Sequence, residues 1–109
     1  MSDSNTYYDL ARRIEDNFAE IENDAIVDFR EQSEEYVALY QKISALKAEH
    51  PVIGKIMEGD GEIVLSAEEH KAVADYFHLQ FHLESMERQQ LYFRGHTDCI
   101  AYLKKVGAL

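Results

Sequence analysis

Asp75, His78 and His82 stand at i, i+3 and i+7, a spacing that aligns one carboxylate and two imidazoles along a single helical stripe. Such a donor set suits zinc or iron with an open coordination position. The partner set is missing, because di-iron carboxylate bundles use Glu-x-x-His twice with further glutamates, and no Glu-x-x-His occurs in this chain. A metal site on Asp75, His78 and His82 is therefore the alternative expectation, behind solvated or hydrogen-bonded histidines. Cys99 has His96 three residues before it, and a nearby imidazole lowers a thiol pKa. It lacks clustered bases and an oxyanion nest, so it reads as a packed side chain. Gly54…Gly59-x-Gly61 lacks the preceding strand and the following Lys-Ser/Thr of a phosphate loop. Asp60-Gly61-Glu62 lacks the alternating ligands of a calcium loop. No catalytic residue and no cofactor are expected, and the chain is not expected to be an enzyme.

Contact residues remain. Phe77, Phe81 and Tyr92, with the Arg88 stem between them, form an apolar group away from the main seam of their helix. Aromatic rings and arginine are the side chains that anchor interfaces. Phe77, Phe81, Arg88 and Tyr92 are therefore the expected interaction face, with Tyr8 as a further aromatic off the seam.

These residues must be positioned by helices. The first fifty residues contain no Gly and no Pro, and nothing there forces the chain out of a helix. Apolar residues at Tyr7, Ala11, Ile14, Phe18, Ile21 and Ala25 alternate in steps of four and three, a heptad-like seam. Phe29, Tyr36, Tyr40 and Ile43 continue it in phase across Gln32 and Ser33. The continuity predicts one long helix A over about 6–49; the alternative is a break near Asn23–Asp24 or at Ser33, where either Asn23 or Ser33 can cap a new helix. Pro51 ends helix A. Val52–Met57 reads as one more apolar turn, Glu58-Gly59-Asp60-Gly61 as the principal loop, and Glu62–Leu65 as a short extended piece.

Ser66-Ala67-Glu68-Glu69 is a capping box that starts helix B, expected over about 66–94. Its seam is Ala72, Tyr76, Leu79, Leu83, Met86, Gln90 and Phe93, and Gly95 is expected to weaken or end it before a short helical extension through Ile100, Leu103 and Val106. The expected fold is a single all-α domain over 1–109, a long antiparallel helical hairpin. A hairpin this small buries too little surface, so two copies are expected to stack as a homodimeric four-helix bundle. A compact monomeric four-helix bundle is the alternative if helix A breaks.

Composition narrows the partners. Twenty-one acids against 11 bases leave a net charge of −10, and neither half of the chain is basic, so no nucleic-acid partner is expected. No apolar run reaches the roughly 18–20 residues of a membrane span, and no leader pattern opens the chain. A single cysteine fits a reducing compartment, so the cytoplasm is the expected location. Ser33-Glu34-Glu35-Tyr36…Tyr40…Leu46 followed by His50-Pro51 resembles a segment of small helical bacterial regulators of the YlbF/YmcA type, over about a sixth of the chain. No functional residue carries over from that resemblance. The expected function is that of a small cytosolic, non-catalytic interaction or regulatory protein whose partner is itself and possibly another protein.

Overall fold

The computed structural model describes the backbone of residues 3–109 and the side chains of residues 11–109. Four α-helices follow one another, α1 (Asp3–Gln32), α2 (Glu34–Glu49), α3 (Val52–Glu58) and α4 (Ala67–Lys105), with no strand among the described residues. The all-α expectation holds. The side chains of Tyr7 and Tyr8 lie outside those described.

The single helix expected over 6–49 is corrected to two. Ser33 adopts an extended conformation, φ −112° and ψ 107°, and its Oγ accepts the Tyr36 N–H at 3.2 Å. A serine hydroxyl satisfies a helix-start donor that would otherwise be orphaned, and Glu34 and Glu35 suit the positive end of the new helix dipole. Gln32 and Ser33 put no apolar side chain on the seam, so little burial opposes the break. Seam phase alone could not settle this, because both outcomes keep the same residues on one side.

α1 is also bent inside, at a position the seam did not point to. Asn17 has φ −119° and ψ 15°, and its Nδ2 donates to the Arg13 carbonyl at 2.9 Å. That carbonyl is the one the Asn17 backbone N–H would take in a regular helix, so side chain and backbone compete for one acceptor. Asn23 and Asp24 stay helical.

Pro51 closes α2 as expected, with the His50 N–H on the Leu46 carbonyl at 3.0 Å. The apolar turn after it is α3, which stops at Gly59 in the left-handed region, φ 75°, where a side chain would be strained. The capping box forms in both directions: the Glu69 N–H donates to Ser66 Oγ at 3.1 Å, and the Ser66 N–H donates to Glu69 Oε1 at 3.0 Å.

Helix B, expected over 66–94 with a separate extension, is instead the continuous α4. Gly95 does not stop it. A glycine costs a helix only about 1 kcal/mol relative to alanine, and Arg94 pairs with Asp98 one turn on. The stop comes at Gly107, φ 78°, where the Ala108 N–H reaches the Leu103 carbonyl at 2.8 Å and the Gly107 N–H reaches that of Lys104 at 3.2 Å. This is the Schellman pattern, and Lys104 and Lys105 in the last turn complement the dipole.

The chain forms two compact units, residues 33–88 and residues 1–32 with 89–109. Most of the buried side chains belong to the first. Tyr36 and Ile43 of α2, Val52 and Ile53 of α3, and Ala72, Tyr76 and Leu83 of α4 are buried there, the seam residues of both expected helices among them. Each buried tyrosine keeps a polar contact: Tyr36 donates to Glu87 Oε1 at 2.9 Å and Tyr76 to Met57 Sδ at 3.3 Å. In the second unit Ala25 is buried, whereas Ile14 and Phe18 on the same seam remain exposed.

Two outcomes follow from the caps. Ser33→Ala removes the acceptor of the Tyr36 N–H and should cost about 1 kcal/mol of stability, a fall in Tm of a few degrees for a chain of this size; an unchanged Tm would show the break does not depend on the hydroxyl. Glu69 is held below the usual carboxylate range, first by the Ser66 backbone N–H and then by the Ser66 side chain, against a smaller opposing effect of burial. A depressed carboxylate pKa stabilises the fold above the unfolded-state value, and the contribution disappears as pH falls through the folded-state value. Urea titrations of wild type and Glu69→Gln should therefore converge as pH is lowered through and below the ordinary glutamate range, and stay apart at neutral pH.

Candidate functional site

α2 and α4 bound an open groove of about 510 Å³ in the 33–88 unit, lined by Lys42, Leu46, Glu49, Asp75, His78 and Leu79. Two members of the proposed metal stripe, Asp75 and His78, therefore share a groove, and His82 is exposed outside its lining. Among the described residues no three His, Cys, Asp or Glu side chains are grouped as a metal ion would require. The i, i+3, i+7 spacing aligns the three along α4; His78 and His82, one turn apart, have the spacing of a two-histidine metal pair, but among the described residues no third donor is grouped with them.

The expected contact face is open. Phe77 and Phe81 are 53% and 67% exposed, and they lie roughly 140° around α4 from the buried Ala72, Tyr76 and Leu83 at 100° per residue. Phe77 packs edge-on against Tyr76, centroids 5.5 Å apart, so its ring is held in place at its base. The Arg88 guanidinium lies 5.6 Å from the centre of the Phe81 ring, a cation–π contact that keeps both groups extended over the surface. Tyr92, in the other unit, is exposed as well and has its ring edge-on to His96 at 4.5 Å. The His96 Nδ1–H donates to the Tyr92 carbonyl at 2.8 Å, so that nitrogen is occupied by the backbone.

A second groove, of about 590 Å³, was not foreseen from the sequence. Ile14, Phe18 and Ile21 of α1 form one wall and Leu91, Gly95 and Tyr102 of α4 the other, with Cys99 alongside. Arg13, Asn17, Arg94 and Asp98 complete the lining. Arg94 is the ordered member of that polar set: Nη1 donates to Asp28 Oδ2 at 2.8 Å and Nε to Asp98 Oδ1 at 3.2 Å. Its pKa is raised further, by the bond to Asp28 first and then by Asp98, so the charge is permanent. The Arg94-x-x-x-Asp98 spacing was legible as a one-turn pair, whereas Asp28 is distant in sequence and only the fold brings it near. The signal in the sequence was Asn17, an amide in mid-helix beside the seam residues Ile14, Phe18 and Ile21.

These features define a small all-α protein with open apolar surfaces and, among the described residues, no converging catalytic set. The chain belongs to a family of unknown function, DUF6664, whose model matches residues 5–109. No curated protein and no solved structure is detectably similar to it. Among the described residues no helix is long and apolar enough to cross a membrane.

The Arg94 bridge joins partly exposed groups, so its contribution is small. Arg94→Met should lower stability by no more than about 1 kcal/mol, with the loss shrinking toward zero in 1 M salt. Chemical denaturation at low and high salt measures it, and a loss that does not change with salt would assign the effect to packing of the arginine stem.

Proposed function

We propose that this is a non-catalytic interaction protein that acts through helix pairing, with a second copy of itself as its first partner. The observation that carries this reading is the exposure of Phe77 and Phe81 on a helix whose other side is already buried. Sequestering such a ring from water yields about 1.5–3 kcal/mol, and an isolated chain leaves that unrealised at both positions. Within the 33–88 unit, Tyr36 near the start of α2 meets Glu87, while Glu49 at the end of α2 shares a groove with Asp75 and His78. That order supports an antiparallel pairing of α2 with this part of α4, the helical hairpin of the proposal. Two such pairs stacked through the Phe77/Phe81 side make a closed four-helix arrangement with two-fold symmetry.

The symmetry has a chemical rationale. In an antiparallel crossing of two α4 helices centred between Glu84 and Ser85, Phe81 of one copy falls opposite Arg88 of the other. The cation–π pair seen within one chain is thereby available across the interface. The acidic remainder of the surface keeps the assembly from growing, since like charges repel outside the apolar stripe. The reducing environment proposed for it, the cytoplasm, rests on the single cysteine.

Sedimentation equilibrium at micromolar concentration should return twice the chain mass. Phe77→Ser with Phe81→Ser should return the monomer mass, with far-UV circular dichroism showing helix content retained. A wild-type monomer, or a double variant that keeps the dimer mass, would remove this face from the proposal. The monomeric result would leave the compact bundle as the form of the protein.

A further inference from the structure

The groove between α1 and the end of α4 has properties that helix pairing through Phe77 and Phe81 does not use. We infer that it is a binding site for a single-chain anionic amphiphile, an acyl carboxylate of medium length. Its volume, about 590 Å³, falls inside the range of roughly 300–1,000 Å³ typical of small-molecule pockets. Its walls are apolar on both sides, Ile14, Phe18 and Ile21 facing Leu91 and Tyr102, and Gly95 leaves the α4 wall low, with nothing within 4 Å of where a Cβ would stand.

Size favours an occupant narrower than a helix. The lining runs from Arg13 to Ile21 on α1 and from Leu91 to Tyr102 on α4, spans of roughly 12–16 Å at 1.5 Å per residue. A helix of that length, about 10 Å across, has about twice the volume of the groove, so about half of it would stand outside. An extended chain of about ten to twelve carbons matches the span, with C–C bonds near 1.5 Å set at tetrahedral angles.

Charge decides the head group. The chain as a whole carries 21 acids against 11 bases, yet the groove lining holds two arginines and one aspartate. Arg94 is bonded to Asp28 and Asp98. Arg13 has no ion pair among the described residues, and its backbone carbonyl is taken by Asn17 at the bend of α1. Arg13 thus lines an apolar trough with a cationic side chain, which is the arrangement a carboxylate with a hydrocarbon tail requires.

Cys99 lines the groove and is the only cysteine, so its reaction with a coloured thiol reagent reports occupancy at one place. Dodecanoate and dodecyltrimethylammonium, each kept below micelle formation, and dodecanol, kept below its solubility limit, are the probes. Dodecanoate should protect Cys99 saturably at one molecule per chain, and calorimetry should give the same stoichiometry. Arg13→Gln, an exposed change that leaves the walls intact, should weaken dodecanoate roughly tenfold and leave dodecanol unchanged, as loss of one charge-assisted bond requires. Ile14→Ser with Phe18→Ser should abolish protection by both.

Absence of saturable protection would overturn the inference, as would equal protection by the cationic probe. Cys99 reactivity that falls with protein concentration when no amphiphile is present would overturn it too, because a second copy would then fill the groove. None of these readouts depends on the Phe77/Phe81 dimer, whose mass is measured separately.

Discussion

Tyr36 is held at both ends, and the 33–88 unit is organised around that fact. Its backbone N–H lies on Ser33 Oγ at 3.2 Å and its hydroxyl on Glu87 at 2.9 Å, with the ring 1% exposed between them. The first bond starts α2; the second ties α2 to α4. A large ring can be buried at little polar cost only when its hydroxyl finds an acceptor, and a carboxylate is a strong one. Ile43, Ile53, Ala72, Tyr76 and Leu83 are buried in the same unit. The break at Ser33 and the burial of this core are two sides of one arrangement.

The other unit is built on a different principle. Ala25 is buried, yet Ile14 and Phe18 on the same seam are nearly half exposed. Here the bend at Asn17 and the missing side chain at Gly95 leave a trough where continuous packing was expected. Arg94 bridges Asp28 and Asp98 beside it, and with groups this exposed such a bridge orients side chains more than it stabilises them. Both units leave apolar surface open, the 33–88 unit at Phe77 and Phe81 and the other unit along its trough. Binding surfaces must come from apolar area that folding leaves unused.

Much of the helical content was legible because its causes are local. The Ser66/Glu69 box, the stop at Pro51 and the glycine end of α3 each depend on residues within one turn of one another. The same holds for exposure of Phe77 and Phe81, since a helix with apolar residues on two sides can bury one side against its own chain and leave the other. The misjudged features were those in which two local tendencies competed. Seam phase favoured continuity through Ser33, and the hydroxyl cap prevailed; Gly95 favoured a stop, and the surrounding helix ran through it. At Asn17 an amide side chain took a backbone acceptor in mid-helix, an event that residue type permits but does not demand.

The sequence by itself determined that the chain is all-α, where its principal loop lies, and most of the residues that α2 and the first half of α4 bury, although Tyr40 of the same seam is exposed. It did so because 3.6-residue periodicity, caps and prolines act over a few ångströms of chain. Only the tertiary structure decided that Asp28 reaches Arg94, that Tyr36 reaches Glu87, and that a trough opens between Phe18 and Leu91. Those pairs lie 51 to 73 positions apart, and their meeting depends on the summed bends of every helix between them. A metal stripe at Asp75, His78 and His82 could be written from spacing, but whether a third donor joins a pair on one helix is a property of the opposing wall.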